Sequence, residues 1–351
     1  MRRGLRLALT VALVICLCGC SLFSATYVSS RPHELDEGAD YSNQRHASSY
    51  PEIYSALTAL ITNRISDGVI ILSDISEQVG RSYLEAAIRS VMAQEPMAIY
   101  CVFDIRFDLG SNAGRLAAAI HVDYSKTPEE LASVKSVQTM QEVQRYLGQA
   151  LEEFSSACVI RVEKFEQIDF QEFVSEYADD HPSTVLEIPD LKVSFFPSTG
   201  FQRVIEINFV YEHSQKDLVK MKTKVEPVFT AAELYVQGDT AVKTKFQQLH
   251  AFLMERNDYV IGSTDTLAYS LLQEGTGDSR AFACVYADMC RRAGLECRAI
   301  KGAKDGEEWY WNRLVINNRV FYIDLMDAER SGNLVFRTAS EMGDYSWDKN
   351  A

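Results

Sequence analysis

The chain has 351 residues, of which 35 are basic and 49 are acidic, giving a formal net charge of -14. Such an acidic surface argues against nucleic acid or anionic lipid headgroups as partners, because both carry negative charge. The length accommodates about three folded domains of ordinary size.

The first residues have the layout of a secretory signal peptide. Arg2, Arg3 and Arg6 precede an apolar run over residues 7–17. That run is too short to span a bilayer comfortably as a transmembrane helix. We therefore expect a signal peptide over residues 1–19.

The apolar run ends in Leu17-Cys18-Gly19-Cys20, which resembles the bacterial lipobox. The resemblance implies that Cys20 is lipidated and anchors the mature chain to the extracytoplasmic face of the cell membrane, since several acyl chains make such anchoring stable. The alternative is an ordinary signal peptide that is cleaved without lipidation. Loss of residues 1–19 removes three arginines, leaving 32 basic and 49 acidic residues and a charge of -17. Residues 20–48 are polar and aperiodic, which predicts a tether.

Residues 49–238 are predicted to contain an internal repeat with a period of roughly 90 residues. The first β-α-β-β-α module is expected over residues 49–155. Its predicted elements are a strand at Gly68–Leu72, a helix bearing Leu84, Ile88, Val91 and Met92, strands at Ala98–Phe107 and Leu116–Tyr124 that turn over Gly110-Ser111-Asn112, and a long helix from Thr127 to Phe154.

The second module is expected over residues 156–238. Its predicted elements are a strand at Cys158–Glu163, a helix bearing Phe170, Phe173, Val174 and Tyr177, strands at Thr184–Phe195 and Gln202–Tyr211 that turn over residues 197–200, and a helix from Asp217. Apolar residues alternate along the strands, as at Ile205, Ile207 and Phe209. Helices on one face of a small, mostly antiparallel sheet make the expected fold class α+β.

Residues 239–351 are predicted to form a third domain. A helix bearing Leu267 and Leu271 is broken at Gly275-Thr276-Gly277, and a second apolar-periodic helix ends at Gly294. Three short strands are expected to follow, at Cys297–Ile300, Arg313–Ile316 and Val320–Ile323, the last two joined by a tight turn at Asn317-Asn318.

This order of elements resembles the papain-like core of the transglutaminase-like superfamily. The residues that carry the resemblance are Ala268-Tyr269, Gly277, the run Ala293–Cys297, Trp311-Asn312, Asp324, Met342 and Trp347. The resemblance implies a papain-like fold and, in active members, acyl-transfer or peptide-hydrolysis chemistry.

The three catalytic positions of the family are occupied here by Ser279, Trp309 and Asp324. Active members need a Cys, a His and an Asp there, because the imidazole deprotonates the thiol and the carboxylate orients the imidazole. An indole has an N–H donor but no lone pair for a proton, so Trp309 cannot act as the general base. No histidine follows His250 in the sequence. The resemblance therefore implies a degenerate triad and a pseudoenzyme.

Two residues could replace the missing groups, and a third could pair with Asp324. Cys284 lies inside the buried helix rather than at its N-terminus, so it is predicted to pack as a small hydrophobe. His250 lies on the preceding helix, where no catalytic role is expected. If Asp324 is buried without an imidazole it needs another donor, and Arg280 is the hypothesis.

An aromatic run marks the place where a papain-like cleft would open. Either Trp309 fills the former active site and Trp311 belongs to the core, or the aromatic rings form a platform for a sugar or a peptide. The residues expected to line such a cleft are Ser279, Arg280, Trp309, Tyr310, Trp311 and Asp324.

No metal ion or other cofactor is predicted. His121 beside Asp123, and Asp179-Asp180-His181, lack convergent ligands at suitable spacing. The five cysteines after Cys20 fit no zinc pattern, and their odd number prevents complete pairing. Buried thiols are expected, and a pairing of Cys290 with Cys297 is the alternative.

The function expected from these observations is that of a bacterial lipoprotein whose inactive transglutaminase-like domain binds or scaffolds at the cell envelope. A cell-wall glycan, a peptide or a protein would be its partner. One alternative is an active acyl-transfer or peptide-hydrolase enzyme that uses Ser279 or a relocated group. Another is a purely structural lipoprotein with no ligand and no open cleft. Function depends on the site, and fold resemblance alone does not decide among these.

Overall fold

The computed structural model describes residues 43–236, 238, 240–262, 266–327 and 334–348. The predicted signal peptide, Cys20 and most of the predicted tether lie outside these residues. The chain divides into two compact units, one with residues 43–91 and 103–123 in its described part, the other with residues 92–102 and those from 124 onward. No helix among the described residues is both long and apolar enough to cross a membrane.

The first unit is built on one four-stranded sheet with the strand order β1-β2-β4-β3. β1 runs parallel to β2, and β4 runs antiparallel to it. The helices bury apolar residues such as Leu57 and Leu84. The elements are β1 (Gln44–Ala47), α1 (Tyr50–Thr62), β2 (Asp67–Leu72), α2 (Glu77–Gln94), β3 (Val102–Asn112) and β4 (Arg115–Tyr124).

Three features of this region differ from the prediction. Residues 44–47, assigned to the tether, form β1, so pairing with β2 orders them. The turn between β3 and β4 lies at Ala113-Gly114, where both residues have positive φ, rather than at 110–112. The strand predicted from Ala98 begins only at Val102, because Pro96 starts a short helix, and proline suits the first helical turn.

The second unit begins with a sheet of the same connectivity, in the order β5-β6-β8-β7. Its helices and the sheet enclose a core that includes Leu147, Val174 and Ile205. The elements are α3 (Pro96–Cys101), α4 (Pro128–Ser133), β5 (Lys135–Val137), α5 (Met140–Glu152), β6 (Ala157–Val162), α6 (Phe170–Asp180), β7 (Asp190–Phe196), β8 (Arg203–Val210) and α7 (Gln215–Tyr235).

The long helix predicted from Thr127 to Phe154 is wrong, because β5 divides it into α4 and α5. Thr127 and Glu130 form the expected capping box at the start of α4. A second capping box, Thr139 with Glu142, starts α5. That second box was visible in the sequence as a helix start. The strand predicted from Thr184 also begins later, at Asp190.

The C-terminal elements place a buried helix, α10, against an antiparallel sheet in the order β13-β12-β11-β14. Asn317 and Asn318 both have positive φ, which confirms the tight turn between β12 and β13. The elements are α8 (Val242–Met254), β9 (Asp258–Tyr259), α9 (Leu267–Tyr269), a π-helical turn (Ser270–Glu274), β10 (Thr276–Gly277), α10 (Ser279–Arg292), β11 (Cys297–Lys304), β12 (Glu307–Ile316), β13 (Arg319–Ile323), a 3-10 turn (Ala339–Glu341) and β14 (Tyr345–Ser346).

The core of this region is centred on α10. Phe282, Tyr286 and Met289 are fully buried in one cluster with Phe229 of α7 and Phe246 of α8. The hydroxyl of Tyr286 donates to the carbonyl oxygen of Phe246 at 2.8 Å. The described helices and sheets together confirm the α+β class, and the packing fixes α10 beside the sheet that carries Trp309.

Candidate active site

Ser279 is the first residue of α10 and follows a sharp turn. Gly275 ends the preceding helical turn with a φ of 80°, which glycine adopts without strain. A Cβ on Gly277 would lie 2.9 Å from the Cβ of Ala281, so this position has room only for glycine. Asp278 caps the helix by accepting the N–H of Ala281 at 3.0 Å. The local sequence thus puts Ser279 at the helix N-terminus, where a thiolate would be stabilised.

The hydroxyl of Ser279 has little polar contact. The residue is 8% exposed, and its Oγ accepts the backbone N–H of Tyr310 at 3.4 Å. Among the described residues, no titratable side chain forms a hydrogen bond to this hydroxyl. No neighbour is therefore in place to take its proton.

Trp309 makes the contact that a catalytic imidazole would make to its orienting carboxylate. Its indole Nε1–H donates to Oδ2 of Asp324 at 2.9 Å. An imidazole has a second nitrogen that can accept a proton, whereas the indole has only carbon there. Trp309 therefore keeps the hydrogen bond to Asp324 but supplies no general base.

Asp324 is buried and receives four hydrogen bonds. Besides Trp309, the ammonium of Lys304 and the hydroxyl of Tyr345 each donate to Oδ2 at 2.7 Å. The backbone N–H of Met326 donates to Oδ1 at 2.9 Å. A buried carboxylate is tolerated when it is paired in this way.

Lys304 links Asp324 to a second carboxylate, that of Asp327, which it contacts at 2.7 Å. Burial lowers the pKa of Lys304, but its hydrogen bonds to both carboxylates outweigh burial and raise the pKa. Burial raises the pKa of Asp327, but the bonds from Lys304 prevail and lower it. We name this group the Asp324 cluster; its members are Lys304, Trp309, Asp324, Asp327 and Tyr345.

The hypothesis that Arg280 pairs with Asp324 is wrong. Arg280 Nε donates to Asp179 at 2.7 Å, and its Nη2 donates to Ser175 Oγ at 2.8 Å, both on α6. Burial raises the pKa of Asp179 in spite of the opposing charge of Arg280. The sequence could not identify the Arg280–Asp179 pair because the two residues lie 101 positions apart in the chain.

The aromatic residues on β12 alternate between the two faces of the sheet. Tyr310 packs against Cys284 of α10. Trp311 is fully buried on the opposite face, where its ring makes edge contacts with the rings of Tyr345 and Trp347, at centroid distances of 5.1 Å and 5.5 Å. A Cβ on Gly302 would lie 2.4 Å from the Trp311 ring, so this close approach requires glycine. Trp311 therefore belongs to the core.

Trp309 is only partly buried. Its ring centroid lies 5.9 Å from that of Tyr259, and Lys304 Nζ lies 5.3 Å from the Trp309 ring centroid. The hydrogen bond from its indole brings Trp309 and Asp324 together. Of the predicted cleft residues, four are buried: Ser279, Tyr310, Trp311 and Asp324.

Among the described residues, neither Cys284 nor His250 forms a hydrogen bond to Ser279. Cys284 is fully buried, and burial raises its pKa well above the usual value, so it is a packed thiol as predicted. Burial lowers the pKa of His250, against a smaller opposing effect of a hydrogen bond with the backbone of Leu325. In the described part of the chain, His250 has no hydrogen bond to Ser279 or Asp324.

The structure places His121 in a surface network of ion pairs. Its Nδ1 lies 2.6 Å from Asp67 and its Nε2 lies 2.9 Å from Asp123, which also binds Arg106. The hydrogen bond with Asp67 is the main cause of a raised pKa of His121. Within the described residues, no group of three or more His, Cys, Asp or Glu side chains could hold a metal ion.

Sequence reasoning missed the polar residues of the Asp324 cluster other than Asp324 itself. Lys304 and Tyr345 lie opposite each other in the pairing of β11 with β14. Asp327 follows Asp324 by three residues, and this second carboxylate was the sequence feature that could have indicated the cluster. The position of Lys304 could not be read without knowing the strand pairing.

Comparison with known proteins assigns the C-terminal region. Residues 230–332 match the model of the Transglutaminase-like superfamily, beginning within α7 and before the predicted start at residue 239. No protein of curated function matches the chain significantly.

Solved structures with detectable similarity have low identity. A candidate cysteine protease from Cytophaga hutchinsonii is 14% identical, over 45% of this chain and 70% of that one, with a TM-score of 0.26. A protein described as a TGase is 9% identical, over 63% and 64%, with a TM-score of 0.28. A candidate protease from Parabacteroides distasonis is 9% identical, over 59% and 45%, with a TM-score of 0.24. These values support no inference about activity. The match to the superfamily model identifies the C-terminal region of this chain as a transglutaminase-like domain.

Proposed function

We propose that the transglutaminase-like domain is catalytically inactive and has a binding or scaffolding role at the cell envelope. The observation that carries the proposal is the hydrogen bond from Trp309 Nε1 to Asp324. The surviving carboxylate of the triad is engaged by a side chain that cannot accept a proton. The chemistry that Asp324 would support in an active member therefore has no base.

The nucleophile position supports the same conclusion. Ser279 has a hydroxyl in place of a thiol, and in the described part of the chain this hydroxyl accepts one long hydrogen bond, from the N–H of Tyr310. In a serine hydrolase, loss of the nucleophile or of the base lowers turnover by about a millionfold. Here the thiol and the imidazole are both replaced, so turnover above background is not expected.

A binding role is supported by the partly buried Trp309 and its neighbour Tyr259. Aromatic rings of this kind bind the apolar faces of sugars and the side chains of peptides. The partner would be a cell-wall glycan, a peptide or a protein of the envelope.

The envelope location is supported by the sequence alone. The arginines before the apolar run and the lipobox-like Leu17-Cys18-Gly19-Cys20 favour lipidation of Cys20. These residues lie outside the part of the chain that the structure describes. Under this proposal the mature protein is attached to the extracytoplasmic face of the membrane.

Amine incorporation and amidase assays on residues 21–351 test the inactivity. We expect the wild type and Ser279→Ala to give the same uncatalysed rate. Wild-type turnover that is lost in Ser279→Ala would contradict the proposal and favour an active enzyme. Activity that appears only in the double variant Ser279→Cys, Trp309→His would agree with it, because both missing groups would have been restored.

Metabolic labelling with a fatty-acid analogue tests the anchor. We expect the label on the wild-type protein and its loss in Cys20→Ala. Equal labelling of both proteins, or labelling of neither, would contradict lipidation at Cys20.

A further inference from the structure

Two thiols lie next to each other at the end of α10 that is remote from Ser279. The thiol of Cys290, in the last turn of α10, lies within interaction distance of the thiol of Cys297, the first residue of β11. Both are free cysteines, and both are buried in the same apolar cluster. Their contact has no role in the proposed function of the domain.

The backbone between the two thiols makes a tight reversal. Six residues separate them, and Gly294 adopts a φ of 73°, which favours glycine. The N–H of Leu295 donates to the carbonyl oxygen of Cys290 at 2.9 Å, which closes the turn. The reversal directs the end of the helix and the start of the strand into one cluster, so both thiols face the same interior.

We propose that Cys290 and Cys297 form an intramolecular disulfide when the protein folds in an oxidising environment. The oxidant is a disulfide of another thiol compound or of a thiol–disulfide exchange protein. One cysteine thiolate attacks that disulfide and releases one thiol, and the second thiolate then displaces the other. The two cysteines lose two protons and two electrons, and the oxidant is reduced to two thiols.

The other cysteines have different neighbours. Cys284 lies beside Asp179 and Arg280, with which it interacts electrostatically. Cys101 donates its thiol to the carbonyl oxygen of Met97 at 2.9 Å. Cys158 is only partly buried, and it lies on β6. Of the five described cysteines, only Cys290 and Cys297 therefore form the proposed pair.

Burial determines when the reaction occurs. It raises the pKa of Cys290 well above the usual value, so little thiolate exists in the folded protein at neutral pH. The disulfide therefore forms during folding, or when the end of α10 opens, and forms slowly in the closed reduced protein. Once formed, it ties the helix that begins at Ser279 to the strand that carries Lys304.

Peptide mapping of the full-length protein tests the proposal. The protein is refolded in detergent with a mixture of reduced and oxidised glutathione, and a second sample is refolded with dithiothreitol. Both are alkylated and digested with trypsin, which separates Cys290 and Cys297 into residues 281–291 and 293–298. We expect the two peptides to be linked, with the mass of two hydrogens lost, in the glutathione sample only.

The matched control is Cys284→Ala, because Cys284 lies on the same tryptic peptide as Cys290. This variant should keep the link, whereas Cys290→Ala and Cys297→Ala should each abolish it. Full alkylation of both Cys290 and Cys297 after refolding with glutathione would overturn the proposal. A link that disappears in Cys284→Ala would overturn it as well, since Cys284 would then be the partner. Neither result depends on whether the domain is catalytically active.

Discussion

Asp324 and Ser279 differ in the polar contacts that surround them. Asp324 is buried with four donors and shares Lys304 with Asp327. Among the described residues, the hydroxyl of Ser279, at the start of α10, has one hydrogen bond, which it accepts from the backbone N–H of Tyr310 at 3.4 Å. Asp324 therefore lies in an ion-pair network, whereas the Ser279 hydroxyl takes no part in the neighbouring Arg280–Asp179 ion pair.

This difference separates two roles that the carboxylate has in an active enzyme. A catalytic carboxylate orients a base, but a buried carboxylate must also be paired for the fold to tolerate it. Asp324 meets the second requirement through Lys304, Trp309 and Tyr345. These contacts explain why a carboxylate can be buried at this position. Among the described residues, Ser279 has no comparable contact.

The largest expected effect is that of Asp324→Ala. Removing this carboxylate leaves the Trp309 indole N–H without its acceptor and takes one of two partners from Lys304. Breaking a buried pair in this way costs about 3–5 kcal/mol in the free energy of unfolding. Urea unfolding followed by tryptophan fluorescence measures it, because all three tryptophans lie in this domain.

The control for Asp324→Ala is Glu308→Ala on the neighbouring strand. Glu308 pairs with Lys301 at 3.1 Å, but the two side chains are 65% and 62% exposed. Exposed pairs contribute less than about 1 kcal/mol. Equal losses in the two variants would contradict a structural role for Asp324.

Trp309→Phe should have the next largest effect. It removes the N–H that Asp324 accepts but keeps an aromatic ring beside Tyr259. A hydrogen bond to a charged group contributes about 1.5–3 kcal/mol. Trp309→His keeps an N–H donor and should unfold at a higher urea concentration than Trp309→Phe. The reverse order would show that the indole N–H is unimportant at this site.

The pH dependence of Asp327→Asn sharpens the comparison further. The lowered pKa of Asp327 means that its carboxylate stabilises the fold above the unfolded-state pKa of about 3.9. This stabilisation is lost as the pH falls through the lower, folded-state pKa. The urea midpoints of the wild type and Asp327→Asn should therefore differ at neutral pH and converge in acid. A constant difference between them would contradict the Lys304–Asp327 ion pair.

Ser279→Ala should have the smallest effect on stability. The hydroxyl has one long hydrogen bond, so its loss should change the free energy of unfolding by less than about 1 kcal/mol. Thermal unfolding of the wild type and the variant measures this. A loss as large as that of Asp324→Ala would show that the two ends of the triad do not differ as described.

The sequence predicted the elements that depend on local signals. Apolar periodicity identified α10, and the Asn317-Asn318 pair identified the turn between β12 and β13. The prediction from sequence failed where pairing between strands decides the structure. β5 interrupts a segment with strong helix signals because it pairs in parallel with β6. Thr139 and Glu142 were the overlooked sign that a new helix begins after it.

The sequence indicated candidate positions for the site but not their hydrogen-bond partners. Ser279, Trp309 and Asp324 followed from motif order along the chain. Lys304 and Tyr345 come from strands that are paired only in the folded sheet. Arg280 was expected to pair with Asp324, but its guanidinium instead binds Asp179 on α6. Such partners depend on packing between remote segments, which no local pattern encodes.

Single-turnover acylation tests the central claim most directly. Residues 21–351 are incubated with an activated acyl ester, digested with trypsin and analysed by mass spectrometry, with Ser279→Ala as the control. Because Trp309 supplies no base, we predict no acyl group on Ser279 and identical adducts in the two proteins. An acyl group found on Ser279 of the wild type would contradict the claim that this domain has lost its chemistry.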